Sequence, residues 1–154
     1  MTRSGKPDFG ILLVLAEQEF VRALRADTAG QGFDDQGRSD GFVLRTLDAG
    51  PTSISGLAAR LEITKQGASQ IVDDMERRGY VERRPDPSDA RARLLHLTPR
   101  GEAALKAARK FHQAYERKLR RQYGDDAIDT VRAVLTSMAG EAQVSTPHFR
   151  ALMF

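Results

Sequence analysis

The sequence contains no cysteine and no tryptophan, and the first absence excludes several chemistries at once. Without thiols there is no disulfide, no thiolate nucleophile, no Cys-ligated zinc and no thiol-based redox sensing. Long hydrophobic runs are missing too. The longest, Ile11-Leu12-Leu13-Val14-Leu15-Ala16, falls far short of the roughly 20 residues a helix needs to cross a bilayer, so no transmembrane helix and no membrane partner are expected. Glu17 and Glu19 follow that run at once and no small-residue cleavage site appears; no secretory signal is expected, and a cytoplasmic location is. There is no Gly-rich phosphate loop, metal-ligand cluster or concentrated Ser-His-Asp set, which argues against an enzyme and predicts neither cofactor nor metal. His112 and Glu116 have metal-compatible i,i+4 spacing, but two ligands without a third make a weak site.

What is present is a chain of 154 residues, the length of one domain at about 150 residues each and enough to bury roughly 70% of its unfolded surface. Its 24 Lys+Arg and 21 Asp+Glu are unevenly placed. Residues 60–121 hold 16 basic and 9 acidic residues, while residues 1–59 and 122–154 each carry a net charge of −2. A basic centre between mildly acidic ends fits a nucleic-acid footprint, because cationic side chains displace counterions from phosphates. The same pattern also suits a soluble surface with uneven charge.

The first periodic stretch runs from about Asp8 to Ala26, with Phe9, Leu12, Leu13, Ala16, Phe20, Ala23 and Leu24 at helical spacing. Ile11, Val14, Leu15 and Val21 lie outside that stripe, so the helix is either deeply buried or shared with a second chain. Residues 27–38, rich in Gly and Asp, read as a loop. Ser39 is placed to cap a short helix from about Asp40 to Ala49, closed by Gly50-Pro51. Ser53 caps the next, whose Ile54, Leu57, Ala58 and Leu61 follow the helical template. Thr64 then caps another, in which Ala68, Ile71, Val72 and Met75 repeat that template until Gly79 ends it. Two short amphipathic helices across so tight a turn make a helix-turn-helix candidate, the alternative being an ordinary packed pair.

Residues 80–84 and 93–97 have strand patterns, and Pro85-Asp86-Pro87-Ser88-Asp89 between them is turn chemistry, so a hairpin with a basic, polar tip is expected. Thr98 and Pro99 suit the cap and first position of a helix that Leu105, Ala108, Phe111, Tyr115 and Leu119 carry to about Tyr123. Gly124 breaks it, and Asp125 is placed to cap a last helix through Ile128, Val131, Leu135 and Met138.

The runs Leu57-Ala58-Ala59-Arg60-Leu61, Thr64 through Arg83, Asp86-Pro87-Ser88-Asp89-Ala90-Arg91 and Leu97-Thr98-Pro99-Arg100-Gly101 resemble the MarR family of transcriptional regulators. The resemblance implies a mainly α fold with a small β-hairpin wing. A winged helix-turn-helix lobe over residues 39–98 would sit in one MarR-like domain spanning 1–154, with dimerisation helices at 8–26 and 98–139. It implies a sequence-specific regulator, a repressor by family habit, acting as a homodimer on double-stranded DNA. Three departures stand out. Glu62 occupies the motif turn where the family commonly has Gly, Gly56 takes the place of a capping-box Glu, and the wing's Asp-Arg-Arg appears as Asp89-Ala90-Arg91. The final residues 148–154 match no motif of the resemblance and are suited either to pack on a partner subunit or to remain loose.

The inward template of the second motif helix turns Gln66, Ser69, Gln70, Asp73 and Arg77 outward. Gln66, Ser69 and Gln70 have the chemistry to read base edges, Lys65 to meet phosphate, and Thr64 to cap. Asp73 is placed to hold Arg77 in an i,i+4 pair. At the hairpin, Arg91 suits a narrow minor groove, with Asp89, by resemblance, holding it. Arg83, Arg84 and Arg93 are expected on phosphates or as solubilising charges. Many family members respond to small aromatic or anionic effectors bound between the dimerisation helices and the DNA-binding lobe. Phe20, Phe42, Arg45, Phe111, His112 and Tyr115 are the candidates for such a pocket, each also suited to core or interface. Arg45 beside aromatics would favour a carboxylate. The competing reading is a winged helix used for protein association, its basic surface meeting an acidic partner.

Overall fold

In the computed structural model, which describes residues 5–145, the chain runs through α1 (Phe9–Ala29), α2 (Asp40–Asp48), α3 (Ile54–Leu61), α4 (Lys65–Arg77), β1 (Val81–Asp86), β2 (Asp89–Leu97), α5 (Pro99–Tyr123), α6 (Asp125–Ala139) and α7 (Glu141–Ser145). Three helices open as their capping residues predict. The hydroxyls of Ser53, Thr64 and Thr98 accept from the backbone N–H groups of Gly56, Gly67 and Gly101 at 3.1, 3.0 and 3.1 Å, each satisfying a donor that the first turn leaves unpaired. At the end of α4, Gly79 takes φ 80°. The N–H groups of Gly79 and Tyr80 then return to the carbonyls of Glu76 and Met75, the paired closure that a left-handed glycine allows.

Several boundaries differ from expectation. α1 runs to Ala29 rather than Ala26, because the buried Thr28 satisfies its hydroxyl on the Leu24 and Arg25 carbonyls. Ser39 does not cap α2 with its side chain: it is already helical, at φ −94° and ψ −9°, whereas a side-chain cap needs an extended residue. The Asp40 carboxylate accepts from Gly37 N–H instead, at 2.8 Å. Asp125 is the first residue of α6 and Gly124 precedes it, so Asp125 and Asp126 act through the helix dipole rather than as caps. The strands continue into the expected turn. Asp86 pairs with Asp89 while Pro85 pairs with Arg93, so residues 90–92 bulge from β2. The helix α7 was not expected, and residues 148–154 lie outside those described.

The substitution in the motif turn has a geometric answer. Glu62 adopts φ 52° and ψ 43° at the end of α3 and is the one non-glycine residue at positive φ among those described. A left-handed L-residue costs roughly 1–2 kcal/mol, partly offset by the extra freedom glycine brings to the unfolded chain. Glu62→Gly is therefore expected to raise stability by about 0.5–1 kcal/mol, read as a higher urea midpoint at unchanged slope. Gly56 is explained as well: a Cβ there would stand 2.2 Å from Thr52 Oγ1, and Thr52 is bridged to β2 through Leu95 N–H at 2.8 Å.

The core joins Val43, Leu44 and Leu47 of α2, Leu57 and Leu61 of α3, Val72 and Met75 of α4, and Tyr80, Val81 and Leu95 at the hairpin with Ala104 and Leu105 of α5. Its buried residues run from 43 to 105, so it takes in the start of α5 beyond the hairpin. α1 and α6 each pack on α5, yet Phe9, Ile11, Leu12, Val14 and Leu15 of α1 and Val131, Val134, Leu135 and Met138 of α6 remain 45–61% exposed.

Candidate nucleic-acid interface

α4 is anchored by Ala68, Val72 and Met75, all fully buried, with Ile71 packed on the core beside them. Successive residues turn 100° about a helix axis, so the opposite face carries Gln66 and Gln70, both exposed, and the half-buried Ser69. Lys65 is exposed in the first turn. The Thr64 hydroxyl is occupied by its cap, which gives this residue a structural task.

The charges behind this face are arranged differently from the sequence expectation. Asp73 does not hold Arg77; Arg77 bonds Asp74 at 3.2 Å, and Asp73 accepts from Arg83 Nη2 at 2.7 Å. Arg83 also reaches Glu76, leaving its side chain 26% exposed. Its guanidinium is held further toward the charged form, chiefly by the hydrogen bond to Asp73. Arg83 is thus a latch between β1 and α4 rather than a cation open to phosphate, and it neutralises two carboxylates on the outward side of α4. Both partners lie 7 and 10 residues away across a turn, where no local spacing rule would find them. Arg84 pairs with Glu82 and is more than half exposed.

At the hairpin end Asp86 Oδ1 accepts from the Ser88 N–H at 2.9 Å and from its hydroxyl at 2.7 Å. These bonds hold the Asp86 carboxyl below its usual range, the backbone one first. Arg91 lies in the bulge, not in the tight turn. Asp89 Oδ1 accepts from the Arg91 backbone N–H at 3.0 Å, so it shapes the main chain and leaves the guanidinium outside that contact. Arg91 and Arg93 are exposed, and neither forms an ion pair among the described residues.

Of the six effector candidates, five come together where α1, α2 and α5 meet. Phe20 packs on Phe111, His112 and Tyr115 with ring centroids 5.6, 4.9 and 4.9 Å away, and Arg45 Nη2 lies 3.2 Å from His112 Nε2. With Arg45 as donor, His112 is neutral with its proton on Nδ1. Burial first, and then the Arg45 charge, push His112 below the usual histidine range. Burial likewise lowers Arg45, with Arg109 adding to it. Phe42 packs against the lobe core. Glu116 is engaged by Arg120 and Arg132, and no group of three metal-ligating side chains occurs among the described residues.

The MarR family model matches residues 37–92. An uncharacterised HTH-type transcriptional regulator of Bacillus subtilis, YsmB, is 27% identical over 81 residues, covering 53% of this chain and 56% of its own length; the chain thus spans about half of that relative. The HTH-type transcriptional regulator PetP of Rhodobacter capsulatus is 26% identical over 92% of this chain and 93% of its own. Among solved structures, Streptococcus pneumoniae FabT in complex with DNA has a TM-score of 0.70 at 22% identity, over 85% of this chain and 94% of its own. A mutant MarR of E. coli complexed with operator DNA has a TM-score of 0.66 at 22% identity, over 85% and 93%. The matched segment holds both motif helices and most of the wing, and the likeness of fold carries on through the flanking helices: residues 37–92 are similar to the MarR family, and the chain has the winged helix-turn-helix fold of those solved structures.

Proposed function

We propose that this chain is a sequence-specific DNA-binding regulator, a repressor by family habit, acting in the cytoplasm as a homodimer on an inverted repeat. The observation that carries the reading is the outward face of α4, where Gln66 and Gln70 stand clear of the core with the half-buried Ser69 between them, beside a wing whose Arg91 and Arg93 have no ion-pair partner among the described residues. On this reading residues 39–98 are the DNA-binding lobe, and helices 8–26 and 98–139 form the dimer. Gln66 and Gln70 read base edges, Lys65 and Arg93 meet phosphate, Arg91 enters the minor groove, and Arg77 and Arg84 add charge at the rim. Arg83 contributes by masking Asp73 and Glu76. A carboxylate-bearing aromatic effector would find Arg45 and the Phe20 ring cluster between the two parts. No catalysis is assigned.

Paired recognition helices enter successive major grooves, which sets half-site centres about 10 bp apart. Gln70→Ala is expected to weaken the best site by about 1–3 kcal/mol and to leave random duplex nearly unaffected. Arg91→Ala should weaken every duplex and flatten the salt dependence by about one unit per wing. Binding isotherms on specific and random duplexes across a salt series check both. Equal losses from Gln70→Ala on the two DNAs would remove base reading, and no salt-sensitive binding at all would favour a protein-association module.

The exposed apolar faces of α1 and α6 carry the dimer. Sedimentation at micromolar concentration should give a single dimer species, and Leu12→Asp with Leu135→Asp should give folded monomer, because a charge on each apolar face opposes burial. A wild-type chain that sediments only as monomer would end the two-fold reading.

A further inference from the structure

The loop between α1 and α2 is tied to the end of α4 and the start of α5 by side chains far apart in sequence. Arg78, just past α4, donates from Nη1 to the Asp35 carbonyl at 2.7 Å and from Nη2 to Asp74 at 2.6 Å, and both nitrogens also bond the Asp40 carboxylate. Arg100, in the first turn of α5, donates to Asp35 Oδ1 and Oδ2 at 3.0 and 3.1 Å and to the Tyr80 hydroxyl at 3.1 Å. The Tyr80 hydroxyl in turn donates to Asp35. The Arg100 guanidinium lies over the Tyr80 ring, 4.7 Å from its centroid. The Tyr80 bond, and then the Arg100 charge, hold the Asp35 carboxyl below its usual range, so the joint is fully charged at neutral pH.

These contacts close a triangle. Its first corner is the packing of Phe20 on Phe111 and Tyr115, where α1 crosses α5. From there α1 and its loop descend to Asp35, and α5 descends about 16 Å, at 1.5 Å per residue, to Arg100. The Asp35, Arg100 and Tyr80 contacts join the two lower ends, and α4 hangs from the same corner through Arg78. A closed triangle of this kind changes its angle only if a corner opens, a helix bends or the loop before Asp35 rearranges. Asp35 and Arg100 are 38% and 41% exposed, so their pairing adds little to global stability while still fixing a direction.

We infer that Asp35, with Arg100 and Tyr80, is a positioning site that fixes the angle of α4 against α1 and thereby restricts the half-site spacing the dimer accepts. The DNA half of this inference rests on the function proposed above; the geometric half does not. Because the chain has no cysteine, Gln18→Cys with Gln70→Cys supplies two spin-label sites, and dilution into unlabelled protein leaves only distances within one chain. The parent should show one narrow distance, and adding Asp35→Ala, or separately Arg100→Gln, should broaden or shift it, with melting temperature changed by less than about 3 °C. Superimposable distributions in all three would overturn the inference. In the second arm, unlabelled protein is titrated with inverted repeats of stepped spacing. The wild type should prefer its best spacing over one shifted by two base pairs by about tenfold, and Asp35→Ala should cut that to about threefold with random-duplex affinity unchanged. A retained preference would overturn the spacing role. A wild type that binds no duplex would overturn the DNA reading instead, leaving the label distances to decide the joint.

Discussion

Gly101→Ala is expected to destabilise the protein by about 3 kcal/mol, although it adds a single methyl group. Gly101 sits where the start of α5 crosses the main chain at the end of α4, and a Cβ there would stand 2.1 Å from the Tyr80 carbonyl oxygen and 3.2 Å from its carbon. Neither atom can step aside cheaply. The Tyr80 oxygen accepts from Thr98 N–H at 3.1 Å, and the Tyr80 side chain is fully buried. Relief requires α5 to lift, which would pull Ala104 and Leu105 out of the core they complete. Urea denaturation should show a lower midpoint at unchanged slope. A loss below about 1 kcal/mol would mean that the crossing has slack absent from this packing.

The second large effect is expected at Arg78. Its side chain is 17% exposed, and the Asp40 carboxylate it holds is 3% exposed. Removing one partner of a buried pair leaves an uncompensated charge, and Arg78→Leu should cost about 3–5 kcal/mol. The remaining Gly37 N–H, 2.8 Å from Asp40 Oδ2, stabilises a dipole's share of that charge and no more. Adding Asp40→Asn keeps the hydrogen bond to Gly37 and removes the charge, so the double variant should recover at least half of the loss. Chemical denaturation of both singles and the double, as a cycle, checks this. Equal losses in Arg78→Leu and the double variant would show that Arg78 acts by packing alone.

These two positions mark where sequence reading stops. Gly101 looks like an ordinary residue in the first turn of a capped helix, and its close approach exists only because Tyr80 is brought across it. Arg78 looks like one of two adjacent arginines near a helix end; nothing local distinguishes it from Arg77. Asp73 and Asp74 are both near Arg77 in sequence, and the i,i+4 rule selects Asp73. The folded chain chooses Asp74 for Arg77, because β1 returns along α4 and presents Arg83 to Asp73.

By contrast the helix starts at Ser53, Thr64 and Thr98, the inward row of Ala68, Ile71, Val72 and Met75, and the left-handed glycine after α4 were legible beforehand. Each depends on groups within about one turn of chain, where backbone geometry alone brings partners together. The outward placement of Gln66 and Gln70 follows from the same periodicity, and so does the excess apolar surface of α1. Tertiary structure decided the Arg83 latch, the Arg78 and Asp40 pair, the Asp35 joint and the particular contacts among Phe20, Arg45 and His112, whose grouping the family resemblance had suggested. Their partners lie 7 to 92 residues apart in the sequence. Any arginine there has several carboxylates as chemical equals, and only the packing of α2, α4 and α5 on one core selects among them.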